Sequence, residues 1–150
     1  MISIIQRVSK AKVTVNANDI GVIGPGILAL VAVEKTDTPK QADRLLERIL
    51  SYRIFADSDG KMNLSLRDIQ GGLLIVPQFT LAADTDCGNR PSFTGAALPE
   101  MGRELFAYFQ QRALDTYPAS QFGQFGADMQ VALVNDGTVT FTLRCNAKPG

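Results

Sequence analysis

Residues 1–15, MISIIQRVSKAKVTV, set the character of the fold because apolar β-branched residues alternate with polar ones along much of the stretch. This pattern predicts strands at Ile2–Val8 and Ala11–Val15, with a break at Ser9-Lys10 between them. The stretch also has no small-residue cleavage site of the kind that ends a signal peptide. We therefore expect the first part of the chain to form a sheet.

Two further apolar runs, Ile20–Ile23 and Ile27–Val33, flank the turn signal Gly24-Pro25-Gly26. They predict two strands joined by a tight connection. The second run, ILALVAV, is apolar at every position, which predicts a strand buried on both faces. A later run, Leu73–Val76, predicts another short buried strand.

Helical periodicity appears twice. Thr38, Pro39 and Gln41 fit an N-cap, an N1 proline and a capping box. The residues that follow have one apolar face, formed by Ala42, Leu45, Leu46, Ile49 and Leu50. A second helix is predicted from about Pro99 to a point before Pro118. We expect its stripe to form core or dimer contacts; it comprises Met101, Leu105, Tyr108 and Phe109.

The last part of the chain has the pattern of a β-hairpin. Met129–Leu133 and Val139–Leu143 alternate apolar and polar residues, and the turn signal Asn135-Asp136-Gly137 lies between them. Residues 145–150 carry little pattern, so a flexible tail is expected there. The length of 150 residues predicts one domain, 1–150.

Composition excludes several kinds of chemistry. The chain has no histidine, two cysteines without a CxxC spacing, and 15 basic against 15 acidic residues. Histidine-dependent nucleophiles and zinc clusters are therefore excluded, and we expect no metal. The zero net charge disfavours a histone-like binder of nucleic acid. Two free thiols predict a cytoplasmic protein, and no apolar run reaches the roughly 18 residues of a membrane span.

The best candidate for chemistry is the end of the predicted strand Leu73–Val76, where Gln78, Phe79 and Thr80 follow. A buried strand that ends in a polar segment exposes backbone N–H groups, and such groups can bind an oxyanion. Phe79 adds an aromatic face and Thr80 a hydroxyl, although no base for that hydroxyl is evident. The glycines near the N-terminus match neither a P-loop nor a dinucleotide motif, so no cofactor is expected.

Seven segments occur in an order that resembles the D-aminoacyl-tRNA deacylase family. They are IIQRVSKAKVTV, GILALVAVEK, RILSYRIFADSDGKMNLS, QFTLAADT, GNRPSF, FGADMQVALVNDG and VTF, and together they span roughly Met1 to Arg144. The resemblance implies a cytoplasmic homodimer without a cofactor. It also implies hydrolysis of the ester that joins a D-amino acid, or glycine, to the 3′-terminal adenosine of tRNA.

The resemblance implies a catalytic site at Gln78, Phe79 and Thr80. Backbone N–H groups near Phe79 and Thr80 would hold the scissile carbonyl, while the terminal ribose 2′-hydroxyl would handle the proton. A role for the Thr80 side chain is the alternative. Because the ester is already activated, the protein need only position water, stabilise the oxyanion and exclude the L-enantiomer.

The second part of the implied site is a turn that inserts into the other subunit of the dimer and leaves no room for an L side chain. The residues that would bind substrate there, or steady the turn, are Arg7, Met129, Asn135, Gly137, Thr138 and Val139. The active site would then lie at the dimer interface. Arg7 is the residue expected to steady the turn.

Two residues depart from the family pattern. Pro77 replaces a usual serine and has no N–H, and Thr138 replaces a proline that follows a cis peptide bond. A cis bond costs about 0.5–1 kcal/mol before proline and roughly 3–4 kcal/mol before other residues. Two hypotheses follow. A cis Gly137-Thr138 bond would preserve selectivity for D-amino acids, whereas a trans bond would open the pocket and relax it.

The sequence therefore predicts an α/β fold: a mixed, largely antiparallel, barrel-like sheet with two outer helices, in a homodimer. The expected activity is D-aminoacyl-tRNA hydrolysis, with no DNA or membrane partner. The alternatives are a non-catalytic binder of the tRNA 3′ end and a structural dimerisation domain. Candidate tRNA contacts are the basic residues Arg7, Lys10, Lys12, Arg44, Arg48, Lys61 and Arg90.

Overall fold

The computed structural model describes residues 1–147. Its strands are β1 (Ile2–Val15), β2 (Asn18–Ile23), β3 (Gly26–Ala32), β4 (Phe55–Ala56), β5 (Met62–Leu64), β6 (Gly72–Pro77), β7 (Ser120–Phe122) and β8 (Gln130–Arg144). Its α-helices are α1 (Pro39–Ser51), α2 (Leu66–Ile69) and α3 (Pro99–Thr116), and a short 3-10 helix spans Phe79–Ala82. The four-residue helix α2 corrects the predicted number of helices from two to three.

Strand β1 lies at the centre of the main sheet. It pairs antiparallel with β3 through Ile2–Val8, with β2 through Ala11–Val15, and with β8 along most of its length. Strands β3 and β6 pair in parallel, as do β6 and β7. The sheet curls until β2 approaches β7, where a Cβ on Gly21 would lie 3.0 Å from the carbonyl oxygen of Phe122. The mixed, nearly closed, barrel-like sheet predicted from the sequence is confirmed.

The predicted break at Ser9-Lys10 does not end a strand. Val8 pairs with Asn135 and Lys10 with Val134, so Ser9 is an extra residue in an otherwise continuous ladder. This is a β-bulge, which bends a strand without ending it.

The predicted C-terminal hairpin is wrong. Its two halves are parts of one strand, β8, and both pair with β1 rather than with each other. Gln6 pairs with Thr140 and Val8 with Asn135, so the four residues 136–139 bulge out of the ladder opposite Arg7. A turn signal depends only on neighbouring residues and does not specify the pairing of the strands on either side. Here both flanks pair with β1 because its edge is long enough for both.

Both predicted helices are confirmed. Thr38 caps α1 and forms the capping box with Gln41, and the five predicted apolar residues of α1 are buried. On α3, Leu105 and Phe109 are buried in the same core, and Met101 and Tyr108 pack against it. The strand β3 is buried on both faces as predicted, except at the half-buried Leu30.

The two ends of the described chain are joined. The amino group of Met1 donates to Asp37 Oδ1 at 2.6 Å and to the carbonyl oxygen of Cys145 at 2.7 Å. Burial raises the pKa of Asp37, although the hydrogen bonds that its carboxylate accepts from the Met1 amino group and from Glu34 N–H act in the opposite direction. Cys145 is buried, which differs from the flexible tail expected from that residue onwards. Residues 148–150 of the expected tail lie outside the described residues.

Within residues 1–147, no helix is both long and apolar enough to cross a bilayer.

Replacing Gly26 by alanine should lower the free energy of unfolding by about 2–3 kcal/mol. A Cβ there would lie 1.9 Å from the carbonyl oxygen of Gly72, so β3 and β6 would have to move apart. The control is Gly24→Ala, since nothing lies within 4 Å of a Cβ at that position. Urea denaturation measures both variants, and equal stability of the two would contradict the close approach of these strands.

Candidate active site

The end of β6 exposes two backbone donors. Gln78 N–H donates to the carbonyl oxygen of Val31 at 2.7 Å and so closes the ladder between β6 and β3. The first hydrogen bond of the 3-10 helix runs from Leu81 N–H to the carbonyl oxygen of Gln78 at 3.2 Å. The N–H groups of Phe79 and Thr80 precede that bond, so the helix provides them with no acceptor among the described residues. The prediction that these two groups bind an oxyanion stays a prediction.

The side chains at this strand end are also in contact. Gln78 Nε2 donates to Thr80 Oγ1. The Phe79 ring is 61% exposed, and its centroid lies 5.3 Å from that of Phe93. Pro77, the residue without an N–H, is buried as the last residue of β6. The three predicted catalytic residues therefore form one group with a free aromatic face.

A cavity of about 250 Å³ opens beside Gln78 and Phe79. Its wall is mostly apolar, and none of the described residues that line it is ionisable. These residues come from β3, the end of β6, α3 and the loop before β8; they are Val31, Ala32, Val33, Pro77, Gln78, Phe79, Ala97, Pro99, Gly102, Phe106, Phe125 and Gly126.

Sequence reasoning missed the far wall of this cavity. Phe125 and Phe106 form it, with ring centroids 6.1 Å apart. A Cβ on Gly102 would lie 3.4 Å from Phe125, so the helix and the loop are in close contact there. The available signal was an aromatic residue between glycines, in the segment Gly123–Gly126, but nothing in that segment indicated which helix it meets.

The bulge 136–139 is held by Arg7. The Arg7 guanidinium donates from Nε to the carbonyl oxygen of Asp136 at 3.1 Å and from Nη1 to that of Ile54 at 2.8 Å. Its Nε also lies 3.6 Å from Asp136 Oδ2. Arg7 thus ties the bulge to the segment that follows α1. Its role in steadying the turn of a working site, which the family resemblance implies, stays a prediction.

Asn135 closes the base of the bulge. Its Nδ2 donates to the carbonyl oxygens of Arg7 at 2.9 Å and of Val139 at 3.0 Å. Its Oδ1 accepts from Thr140 Oγ1 at 3.4 Å. One side chain therefore satisfies two backbone carbonyls that the interrupted ladder leaves unpaired.

The tip of the bulge is Gly137-Thr138, and both residues are exposed. Gly137 has φ +131°, and the peptide bond between the two residues is cis. Of the two hypotheses for this bond, the structure has the cis form.

Met129 belongs with the strand end rather than with the bulge. A Cβ on Gly123 would lie 2.9 Å from Met129 Sδ and 3.2 Å from Pro77 Cδ, so the two side chains flank the same glycine. The predicted site residues thus form two groups. One contains Gln78, Phe79, Thr80 and Met129, and the other contains Arg7, Asn135, Gly137, Thr138 and Val139.

The two groups do not meet within one chain. Pro77 pairs with Val31, whereas Arg7 pairs with Ile27, four residues before Val31 on β3. Four residues correspond to about 13 Å along the strand, and three strand spacings from β6 to β8 add about 14 Å across the sheet.

The candidate tRNA contacts lie on several elements. Lys10 and Lys12 border a shallow depression of about 300 Å³ on the surface of the sheet. Arg48 lies on α1, with its guanidinium 5.7 Å from the centre of the Tyr52 ring. Residues 1–147 contain no cluster of three or more potential metal-binding side chains. Contact of these basic residues with tRNA stays a prediction.

The fold is shared with proteins whose structures have been solved. One solved structure, described as "c-Myc DNA Unwinding Element Binding Protein", has a TM-score of 0.93 and 37% identity, and covers 98% of this chain and 100% of its own. Another, described as "Structural Analysis of a probable eukaryotic D-amino acid tRNA deacylase", has a TM-score of 0.83 at 16% identity, covering 95% of this chain and 97% of its own, and so shows the fold alone.

The chain belongs to the D-Tyr-tRNA(Tyr) deacylase family, whose model matches residues 4–144. Curated relatives agree with this assignment. The D-aminoacyl-tRNA deacylase of Cupriavidus pinatubonensis is 59% identical over 149 residues, with 96% of each chain covered. That of Nitrosococcus oceani is 58% identical over 144 residues, with 96% of this chain and 93% of the relative covered. The family resemblance predicted from the sequence is confirmed.

Replacing Arg7 by lysine should loosen the bulge without unfolding the protein. A lysine ammonium lacks the planar fork that reaches two carbonyls at once. We expect amide hydrogen exchange in the paired parts of β8 that flank the bulge to accelerate about tenfold, while exchange in β3 stays unchanged.

The control for this measurement is Arg44→Lys on the exposed face of α1, where the same substitution touches no part of the bulge. Equal exchange rates in the two variants would show that Arg7 does not hold the bulge.

Proposed function

We propose that this protein hydrolyses the ester bond of D-aminoacyl-tRNA in the cytoplasm and releases the D-amino acid and tRNA. The observation that carries the proposal is the pair of backbone donors at Phe79 and Thr80, beside a cavity that has no ionisable residue among those of 1–147 that line it. Family membership and the names of the curated relatives support the substrate class.

The proposed chemistry depends on oxyanion stabilisation. The N–H groups of Phe79 and Thr80 hold the carbonyl oxygen of the ester as negative charge develops on it, and preorganised donors of this kind stabilise the transition state strongly. Since the described cavity wall offers no base, the ribose 2′-hydroxyl of the substrate handles the proton. The alternative nucleophile, the Thr80 hydroxyl, is less well supported because Oγ1 is already the acceptor of the Gln78 amide.

We assign the cavity to the 3′-terminal adenosine. An apolar site of about 250 Å³ with one exposed aromatic ring at its entrance suits a purine base, which is flat and largely apolar on its faces. Phe79 then has two roles: its N–H contacts the carbonyl, and its ring borders the nucleoside.

Rejection of L-aminoacyl-tRNA is assigned to the bulge of a second subunit. Within one chain the exposed tip Gly137-Thr138 is separated from the end of β6 by three strand spacings across the sheet and by four residues along β3. In a homodimer the tip of one subunit reaches the cavity of the other, where it limits the space open to an L side chain. Substrate contacts at Met129, Asn135 and Val139 are part of the same proposal, as is hydrolysis of glycyl-tRNA.

The direct test follows ester loss from matched D-tyrosyl-, L-tyrosyl- and glycyl-tRNA. We expect the D-ester to be hydrolysed on the order of 100-fold faster than the L-ester, because the selectivity is built into the site as steric exclusion. Hydrolysis of the glycyl ester is also expected. Equal loss of the D- and L-esters would replace this proposal with a deacylase of relaxed chirality, and no loss would leave a binder of the tRNA 3′ end. Tight binding of duplex DNA would contradict the choice of substrate.

A matched pair of variants controls this test. Phe79→Pro and Phe79→Ala both remove the ring, but only proline removes the N–H. Phe79 is the first residue of the 3-10 helix, a position that tolerates proline. The proline variant should lose a further factor of about 10²–10³ in kcat. Equal kcat values would exclude this N–H as a catalytic donor.

Mixing two variants, each first shown to be inactive alone, tests the shared site. Phe79→Pro damages the strand end, and Gly137→Val damages the bulge, where a Cβ would lie 2.8 Å from Arg7 Nη2. Each heterodimer contains one intact site and one doubly damaged site. Random assortment of equal amounts should restore about a quarter of the wild-type activity.

Thermal unfolding of each variant alone checks that it is folded. Recovery of no activity, with heterodimers shown to form, would mean that each subunit completes its own site.

A further inference from the structure

Arg103 lies at the solvent-exposed edge of the cavity wall that Phe125 forms. It follows Gly102 on α3, and its guanidinium carbon lies 4.9 Å from the centre of the Phe125 ring. Gly102 and Phe125 both line the cavity, whereas Arg103 is exposed. Its positive charge therefore lies against the described cavity wall, on the solvent side of Phe125.

The guanidinium is held in place by two contacts. One is the Phe125 ring, over which a guanidinium stacks favourably. The other is the backbone at Gly126, which has φ +77° and where a Cβ would lie 3.3 Å from Arg103 Nη2. A side chain at position 126 would crowd the guanidinium, so the glycine permits this arrangement.

Arg103 makes no ion pair with any residue of the described range 1–147. Other arginines do: Arg112, on the same helix, pairs with Asp43 at 3.3 Å, and Arg67 pairs with Glu47 at 2.7 Å. A stacked guanidinium without a carboxylate partner keeps its N–H edge available for an anion from outside. The planar fork of arginine matches two oxygens of a phosphate group.

We propose that Arg103 binds the phosphate that joins the terminal adenosine to the nucleotide before it. This inference rests on the proposed function, because that function places the adenine in the cavity; its 5′-phosphate then lies at the exposed edge of the wall that Arg103 contacts. Arg103 is then a positioning residue: it fixes the direction in which the single-stranded tRNA end enters and takes no part in the ester chemistry.

The test compares two substrates that differ in this phosphate. One is D-tyrosyl-tRNA, and the other is D-tyrosyl-adenosine, which has the ester and the base but no phosphate. With Arg103→Gln we expect KM for the tRNA substrate to rise about five- to tenfold with kcat nearly unchanged. Both constants for D-tyrosyl-adenosine should stay at the wild-type values.

Salt dependence provides a second readout. Loss of one phosphate contact to a single strand should reduce the slope of log KM for tRNA against log salt concentration by about 0.7. Arg103→Lys keeps the charge and should keep most of the slope. Lys40→Gln removes one positive charge from the exposed start of α1 and should leave KM and the slope unchanged.

The outcomes separate the two proposals. If the wild-type protein cleaves neither substrate, the proposed function fails. If it cleaves both, and Arg103→Gln changes neither or weakens both equally, the phosphate contact is overturned while the function stands. If Lys40→Gln raises KM as much as Arg103→Gln does, the effect is one of overall charge, and the assignment to Arg103 is overturned.

Discussion

The ladder between β1 and β8 is the constraint on which the rest of the structure depends. One edge of β1 pairs with β8 over nearly the full length of both strands, and β3 and β2 share the rest of its hydrogen bonding. This arrangement leaves the Gln6–Val8 segment facing six residues of β8. The excess length has to leave the plane of the sheet, so the exposed tip at Gly137-Thr138 is a direct consequence of strand register.

The other half of the candidate site depends on the end of strand β6, where regular pairing stops within one residue. Gln78 completes the ladder with Val31, and the chain turns at once into a 3-10 helix. Two successive N–H groups are thereby exposed beside an apolar wall. The candidate site is therefore built mainly from backbone groups. The residue types at Phe79 and Thr80 indicate less about its chemistry than the positions of their N–H groups do.

Local features of the fold were predictable from the sequence, and long-range ones were not. The cap at Thr38 and the buried strand β3 depend on neighbours along the chain, and both are confirmed. The hairpin at Asn135-Asp136-Gly137 was wrong because a turn signal does not specify which strand its flanks pair with. The contact of Phe125 with α3 was missed for the same reason, since it joins residues about twenty positions apart through a loop.

The described cavity wall contains no ionisable group, and this determines how the reaction can respond to pH. The charge of that wall is the same at every pH at which the chain is folded, because none of its residues gains or loses a proton. Within the cavity wall, a change of rate with acidity would then arise in the substrate, through its α-amino group and the hydroxide available to attack the ester. The substrate, rather than this wall, would set that part of the pH profile of the reaction.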